Sequence, residues 1–295
     1  MLKNAKFRLI TAMLLFGTIG LFVRYIPLPS SVIALSRGVL GMLFLLAVTK
    51  AKKTPLDKTA IKKNAVWLLP SGIALGFNWA LLFEAYRFTS VATATLCYYL
   101  APIAAILISV PLYREKMTVK KGVCAVFALV GMAGVSGFLP NGKIPQSEIT
   151  GVLFGISAAA LYATVVLLNK KITDISPYDK TIVQLGVSAV VMTVYCLLTV
   201  EKQQISINPK TILLLLVVGI VHTGITYLFY FGAIGEINVS TSAILSYIDP
   251  VTALFISWFV LQEKATLFAV VGAVLVLFSA LFSEIKIPKK NKTDA

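Results

Sequence analysis

Residues 87–116, RFTSVATATLCYYLAPIAAILISVPLYREK, can be laid on residues 235–264, GEINVSTSAILSYIDPVTALFISWFVLQEK, without a gap. The register is constant at 148 positions, half of the 295-residue chain. Nine of the thirty positions coincide: Val91/Val239, Thr93/Thr241, Tyr99/Tyr247, Pro102/Pro250, Ala105/Ala253, Ile108/Ile256, Ser109/Ser257, Glu115/Glu263 and Lys116/Lys264. Apolar composition alone produces some matches, but not a shared proline in the middle of the run or a shared Glu-Lys at its end. The chain therefore reads as two related halves.

What each half is made of follows from composition. Apolar residues make up 58% of the chain and charged residues 13%, with mean hydropathy +0.88. A soluble chain is about 25% charged and cannot hide this much apolar side chain from water. Seven stretches lack Asp, Glu, Lys and Arg altogether: 64–83, 88–113, 122–142, 149–169, 181–200, 211–235 and 265–283. Each is long enough to cross roughly 30 Å of hydrocarbon as a helix.

Turn and charge signals divide the sequence into ten spans, at about 8–25, 31–49, 65–86, 91–113, 120–138, 151–170, 180–200, 211–234, 239–261 and 266–284. The first follows Lys3, Lys6 and Arg8 like a signal peptide, but no small-residue cleavage site comes after it, so it reads as a retained helix. Loops on the N-terminal side hold 20 Lys and Arg against 6 on the other, with Arg37 inside a span. That asymmetry places both termini in the cytoplasm. It also makes the net charge of +15 a matter of topology and anionic lipid contact rather than of nucleic-acid binding.

Five spans per half is an odd number, so the second half enters the membrane from the opposite face. The expected organisation is a first repeat at 1–138 (spans 1–5), an external linker at 139–150, a second repeat at 151–285 (spans 6–10) and a cytoplasmic basic tail at 286–295. Inverted repeats are the architecture of secondary transporters, with the solute site near the midplane between the repeats.

Several motifs then resemble one family. Gly76-Phe77-Asn78-Trp79 through Glu84-Ala85-Tyr86, Thr89-Ser90-Val91-Ala92, Tyr98-Tyr99-Leu100-Ala101-Pro102 and Arg114-Glu115-Lys116 are similar to the EamA family of the drug/metabolite transporter superfamily. Phe16-Gly17-Thr18, Leu35-Ser36-Arg37, Ile248-Asp249-Pro250 and Glu263-Lys264 extend the likeness over nearly the whole chain. The resemblance implies an all-α integral membrane fold of ten helices, two inverted five-helix repeats around a central cavity, and export of small metabolites, including amino acids. It also implies that spans 1, 3, 4, 6, 8 and 9 line the cavity. The family often has Trp at the place of Phe16, and again near Tyr162.

Ionisable groups inside spans are costly in lipid and mark a cavity or a partner. Arg37 and Glu84 read as structural or gating charges, Arg37 paired with a carbonyl or an acid and Glu84 with Arg87 at i,i+3. His222 is a proton-carrier candidate or an interhelical hydrogen-bonding group. Asp249 precedes Pro250 and has only Ala101 as its counterpart in the first half, so it breaks the repeat's symmetry. Pro102 and Pro250 are hinge candidates or fixed kinks. The candidate cavity set is Phe16, Asn78, Trp79, Phe83, Tyr98, Tyr99, Tyr162, His222, Thr226, Tyr227, Tyr230, Ser246, Tyr247 and Asp249, with in-span packing the alternative for each aromatic.

Gly131, Gly134, Gly151, Gly155, Ala158 and Ala159 suit close helix approach. Cys97, Cys124 and Cys196 lie in apolar runs without metal-like spacing. No protease, nucleophile-elbow or phosphate-loop motif is present. The expected partners are the bilayer, a small-molecule solute and protons as a candidate coupling ion; no cofactor, metal or nucleic acid is expected. The reading is a cell-membrane secondary transporter that exports small organic metabolites, amino acids or related compounds. A broad drug-efflux protein, and a membrane scaffold or intramembrane enzyme, are the rivals.

Overall fold

Five helix starts in this chain are set by short polar side chains that take up backbone N–H groups otherwise left without partners. Asn4 accepts from Lys6 N, Asp57 from Thr59 N and Ala60 N, Ser90 from Thr93 N, Ser176 from Asp179 N and Asn208 from Thr211 N. Pro177 and Pro209 then occupy first-turn positions, where a missing N–H costs nothing.

The computed structural model describes residues 4–101, 104, 119–135, 146–201, 205, 207–234, 236, 245–246 and 248–284. The hinge candidate Pro102, the cavity candidate Tyr247, most of the 139–150 linker and the 286–295 tail lie outside the described residues.

Ten helices run through the described residues: α1 (Ala5–Arg24), α2 (Ser30–Ala51), α3 (Lys58–Phe88), α4 (Val91–Tyr98), α5 (Val119–Val135), α6 (Gln146–Asn169), α7 (Pro177–Thr199), α8, α9 and α10 (Leu267–Glu284). α8 is α-helical over Pro209–Leu216, π-helical over Val217–Ile225 and α-helical again over Thr226–Ile234. α9 is α-helical over Ile248–Phe255 and π-helical over Ile256–Val260. α1, α2, α3, α6, α7 and the run Pro209–Ala233 of α8 are long and apolar enough to cross a membrane. Leu197 and Leu198, each 80% exposed, and Leu153, Leu213 and Val274 form an outer surface suited to acyl chains, not water.

Polar ties fix which helix ends share a face. Arg8, at the start of α1, pairs with Glu236 beyond α8; Lys63, near the start of α3, pairs with Asp174 beyond α6. At the other face the end of α1 (Arg24) and the start of α4 (Val91 N) meet Glu263 beyond α9, and Thr89, at the end of α3, meets Glu148 at the start of α6. α1 and α3 thus run one way and α6 and α8 the other. The packing partners repeat the same relation: α1 on α8 as α3 on α6, α2 on α8 as α3 on α7, α1 on α9 as α4 on α6, with α2–α7 and α5–α10 as self-related pairs. Exchanging α1 with α6, α2 with α7, and so on leaves this pattern unchanged, which is an inverted repeat.

Small residues allow the close crossings. An added Cβ on Gly38 of α2 would lie 3.2 Å from Leu185 O of α7, and one on Gly72 of α3 would lie 2.9 Å from Gln184 O of the same helix. Buried amides supply the rest: Gln184 Nε2 donates to Ser71 Oγ and Asn169 Oδ1, joining α3, α6 and α7. In lipid, packing and such hydrogen bonds hold helices together where no hydrophobic effect between them exists.

Candidate functional site

The helices named by the resemblance bring one set of rings together. Phe16 of α1 meets Tyr227 and Tyr230 of α8 at centroid distances of 5.6 and 6.4 Å, both edge-on. Tyr98 of α4 meets Tyr162 of α6 at 5.3 Å and its neighbour Tyr99 at 6.5 Å. Tyr162 is close enough to Tyr227, Tyr230 and Asp249 to interact electrostatically. It is nonetheless 38% exposed, so its ring is not closed in on all sides by packed side chains. Phe16, Tyr98, Tyr99, Tyr227, Tyr230 and Asp249 are all half-buried around it.

Polar groups in this aromatic box are held from behind. Tyr99 Oη donates to Asp249 Oδ2 at 2.7 Å. Tyr98 Oη donates to Asn78 Oδ1 at 3.3 Å, and Asn78 Nδ2 donates to Ala158 O at 2.6 Å, tying α3, α4 and α6. Asn78 is therefore a scaffold behind the box. Asp249 takes its hydrogen bond from a tyrosine, not from His222.

The other candidates are placed elsewhere. His222 is fully buried, with Nε2 2.9 Å from Thr18 Oγ1, Nδ1 3.3 Å from Val217 O and the Phe22 ring at 4.8 Å. Thr226 Oγ1 donates to Val221 O within its own helix. The wider π turn sets these contacts five residues apart, and π segments inside α-helices recur at functional sites. Trp79 and Phe83 flank the Arg37 guanidinium at 4.0 and 5.4 Å. Arg37 Nε donates to Thr223 Oγ1, so its partner is a hydroxyl where an acid or carbonyl was expected. Glu84 does lie 3.4 Å from Arg87. Ser246 is half-buried at the start of the α9 region.

Two features were missed in the sequence. One is the knot at the Arg24 face: Glu263 accepts from Arg24, from Ser257 Oγ and from Val91 N (3.0 Å), while Ala92 N donates to Ser257 Oγ. It binds α1, α4 and α9 at one end. The repeat flagged Val91, Ser257 and Glu263, since all three coincide with residues of the other half. The second is a cavity of about 670 Å³ on the same face, walled by Arg24, Ser30, Ile33, Phe83, Tyr86 and Arg87. Among the described residues no group of His, Cys, Asp or Glu could hold a metal ion.

An inverted pair of five-helix units with an aromatic box and a half-buried acid between them defines a multi-pass membrane transporter, not an enzyme. The chain belongs to the EamA-like transporter family, whose model matches residues 5–137 and 149–284, once per half. It is 27% identical over 274 residues to the uncharacterized transporter YxxF of Bacillus subtilis, covering 93% of this chain and 87% of that protein. It is 25% identical over 287 residues to an uncharacterized transporter of Archaeoglobus fulgidus, covering 96% and 97%. A crystal structure sharing 19% identity superposes with TM-score 0.66 over 94% of this chain and 97% of its own, which shows the shared fold.

Proposed function

We propose that the chain is a secondary transporter that exports small organic metabolites, amino acids or related compounds, by alternating access through the aromatic box. The observation that carries this reading is the gathering of Phe16, Tyr98, Tyr162, Tyr227 and Tyr230 from both halves in ring contacts beside Asp249. Rings offer apolar area with polar rims, and one acid among them orients a solute. The knot at Glu263 and the Arg8–Glu236 pair sit at opposite faces, where alternating access needs closures. Protons are the candidate coupling ion, carried by Asp249.

The Lys and Arg asymmetry supports cytoplasmic termini in the cell membrane. Under that orientation a cysteine at Arg87 reacts with an impermeant thiol reagent from outside the cell and a cysteine at Lys58 does not; the opposite labelling rejects it. The test of transport is uptake by proteoliposomes of purified protein over a panel of amino acids, organic acids, sugars and cationic drugs, without nucleotide. Saturable flux of a small metabolite is expected. Flux that requires ATP, or flux of bulky cationic drugs alone, overturns the reading.

A further inference from the structure

Arg37 lies in α2, which packs outside the box, and is 4% exposed. A guanidinium has five N–H donors. One is engaged, Nε–H to Thr223 Oγ1 at 2.9 Å, and Thr223 in turn donates to Val218 O, so its hydroxyl can only accept from Arg37. Trp79 covers one face of the cation at 4.0 Å. Among the described residues no carboxylate lies within 4.0 Å of it. One neutral hydrogen bond and two cation–π contacts, the second at 5.4 Å from Phe83, do not offset the cost of a cation inside the membrane. The arrangement is incomplete in a way that an anion would complete.

The position of Arg37 is on a path. Ile33, one turn earlier in α2, and Phe83 both wall the cavity of about 670 Å³, where the buried Ser30 hydroxyl also has no partner. Toward the box, its partner Thr223 lies four residues before Tyr227 in α8, and Trp79 adjoins Asn78, which holds Tyr98. Arg37 is thus in contact with residues that border both that cavity and the aromatic box. Because Trp79 and Phe83 flank the guanidinium, an edge is what remains, and that edge matches two coplanar oxygens. Among the described residues the other cations near the path, Arg24 and Arg87 of the cavity wall, are paired with Glu263 and Glu84, so a singly charged carboxylate balances Arg37 where a doubly charged phosphate monoester does not.

We infer that Arg37 is the anion-binding residue of the transport path and that the transported solute carries a carboxylate. This rests on the transporter reading above and adds the chemistry of its solute.

The test uses five probes of one shape: 3-phenylpropionate, L-phenylalanine, L-phenylalaninamide, 2-phenylethylamine and phenyl phosphate. Flux into proteoliposomes is measured for each. Binding is followed by Trp79 emission in protein with Trp67 and Trp258 changed to Phe, which leaves Trp79, under the guanidinium, as the reporter. Expected are flux and a saturable emission change with the two carboxylates and neither with the amide or the amine. Arg37→Gln is expected to lower carboxylate flux roughly ten- to a hundredfold, the factor for loss of a charged hydrogen-bond partner, with Arg37→Lys in between. If Arg37→Gln does not fold, acid against amide in the Arg37 protein decides the matter. Equal handling of acid and amide, undiminished carboxylate flux in folded Arg37→Gln, or preference for phenyl phosphate overturns the inference. A Trp79 response to the acids without flux of any probe sinks the transporter reading and leaves the anion site; absence of both sinks both.

Discussion

Gly17 is the point at which α1 touches the chain around Asp249, and it admits a quantitative prediction. A Cβ added at Gly17 would lie 2.5 Å from Asp249 O and 2.5 Å from Thr252 Cβ. Ordinary contact begins at 3.4 Å, so α1 and α9 must separate by 3.4 less 2.5, about 0.9 Å, since a backbone oxygen and a Cβ offer no rotamer escape. Overpacking of this kind costs about 1–3 kcal/mol, a factor of roughly 5 to 150 in the folding equilibrium. The displaced helix carries Asp249, whose 2.7 Å bond from Tyr99 bridges α4 and α9, so transport should fall together with stability. Gly122→Ala is the control: nothing lies within 4 Å of its added Cβ, and alanine in a helix is neutral or favourable there. Equilibrium unfolding of both variants in mixed detergent, with flux measured alongside, makes the comparison. A Gly17→Ala protein within about 0.5 kcal/mol of Gly122→Ala, at undiminished flux, would refute the α1–α9 contact and the box built on it.

Glu263→Gln removes the charge that gathers Arg24, Ser257 and Val91 N, so a cysteine at the buried Ala92 should react with an outside thiol reagent roughly tenfold faster, the factor carried by one hydrogen bond to a charged acceptor; unchanged reactivity denies the knot any part in closing that end. Asp249→Asn keeps an oxygen for Tyr99 but cannot titrate, so substrate exchange should survive while pH-driven accumulation is lost, and retained pH dependence rejects Asp249 as the coupling group. In the loop beyond α6, the Lys63 ammonium bonded to Asp174 holds that carboxyl below its ordinary value of 3.8. A depressed carboxyl stabilises the fold above its unfolded pKa, and that contribution goes as pH falls through the lower folded value. Acid titration of the Asp174 carboxyl by NMR should therefore return to the ordinary value in Lys63→Met; an unmoved titration rejects the pair.

The membrane class, the ten-helix count and the duplication were all legible in the sequence, because each depends on local or periodic properties. Charge-free runs report solvent, and the 148-residue register between Tyr99-x-x-Pro102 and Tyr247-x-x-Pro250 reports repetition. The sequence also picked out Phe16, Tyr98, Tyr162, Tyr227 and Tyr230 as possible cavity rings, but could not separate them from Trp79 and Phe83, which flank Arg37, Phe83 also walling the cavity at the Arg24 face. That division is set by the direction each side chain takes on its helix and by which helix lies opposite. The partners are 204 residues apart for Thr18 and His222, 186 for Arg37 and Thr223, and 172 for Val91 and Glu263. Pairings at such separations arise only once the two inverted halves are packed, because a span in lipid can satisfy its own backbone but must find partners for its polar side chains across the helix interfaces that tertiary packing creates.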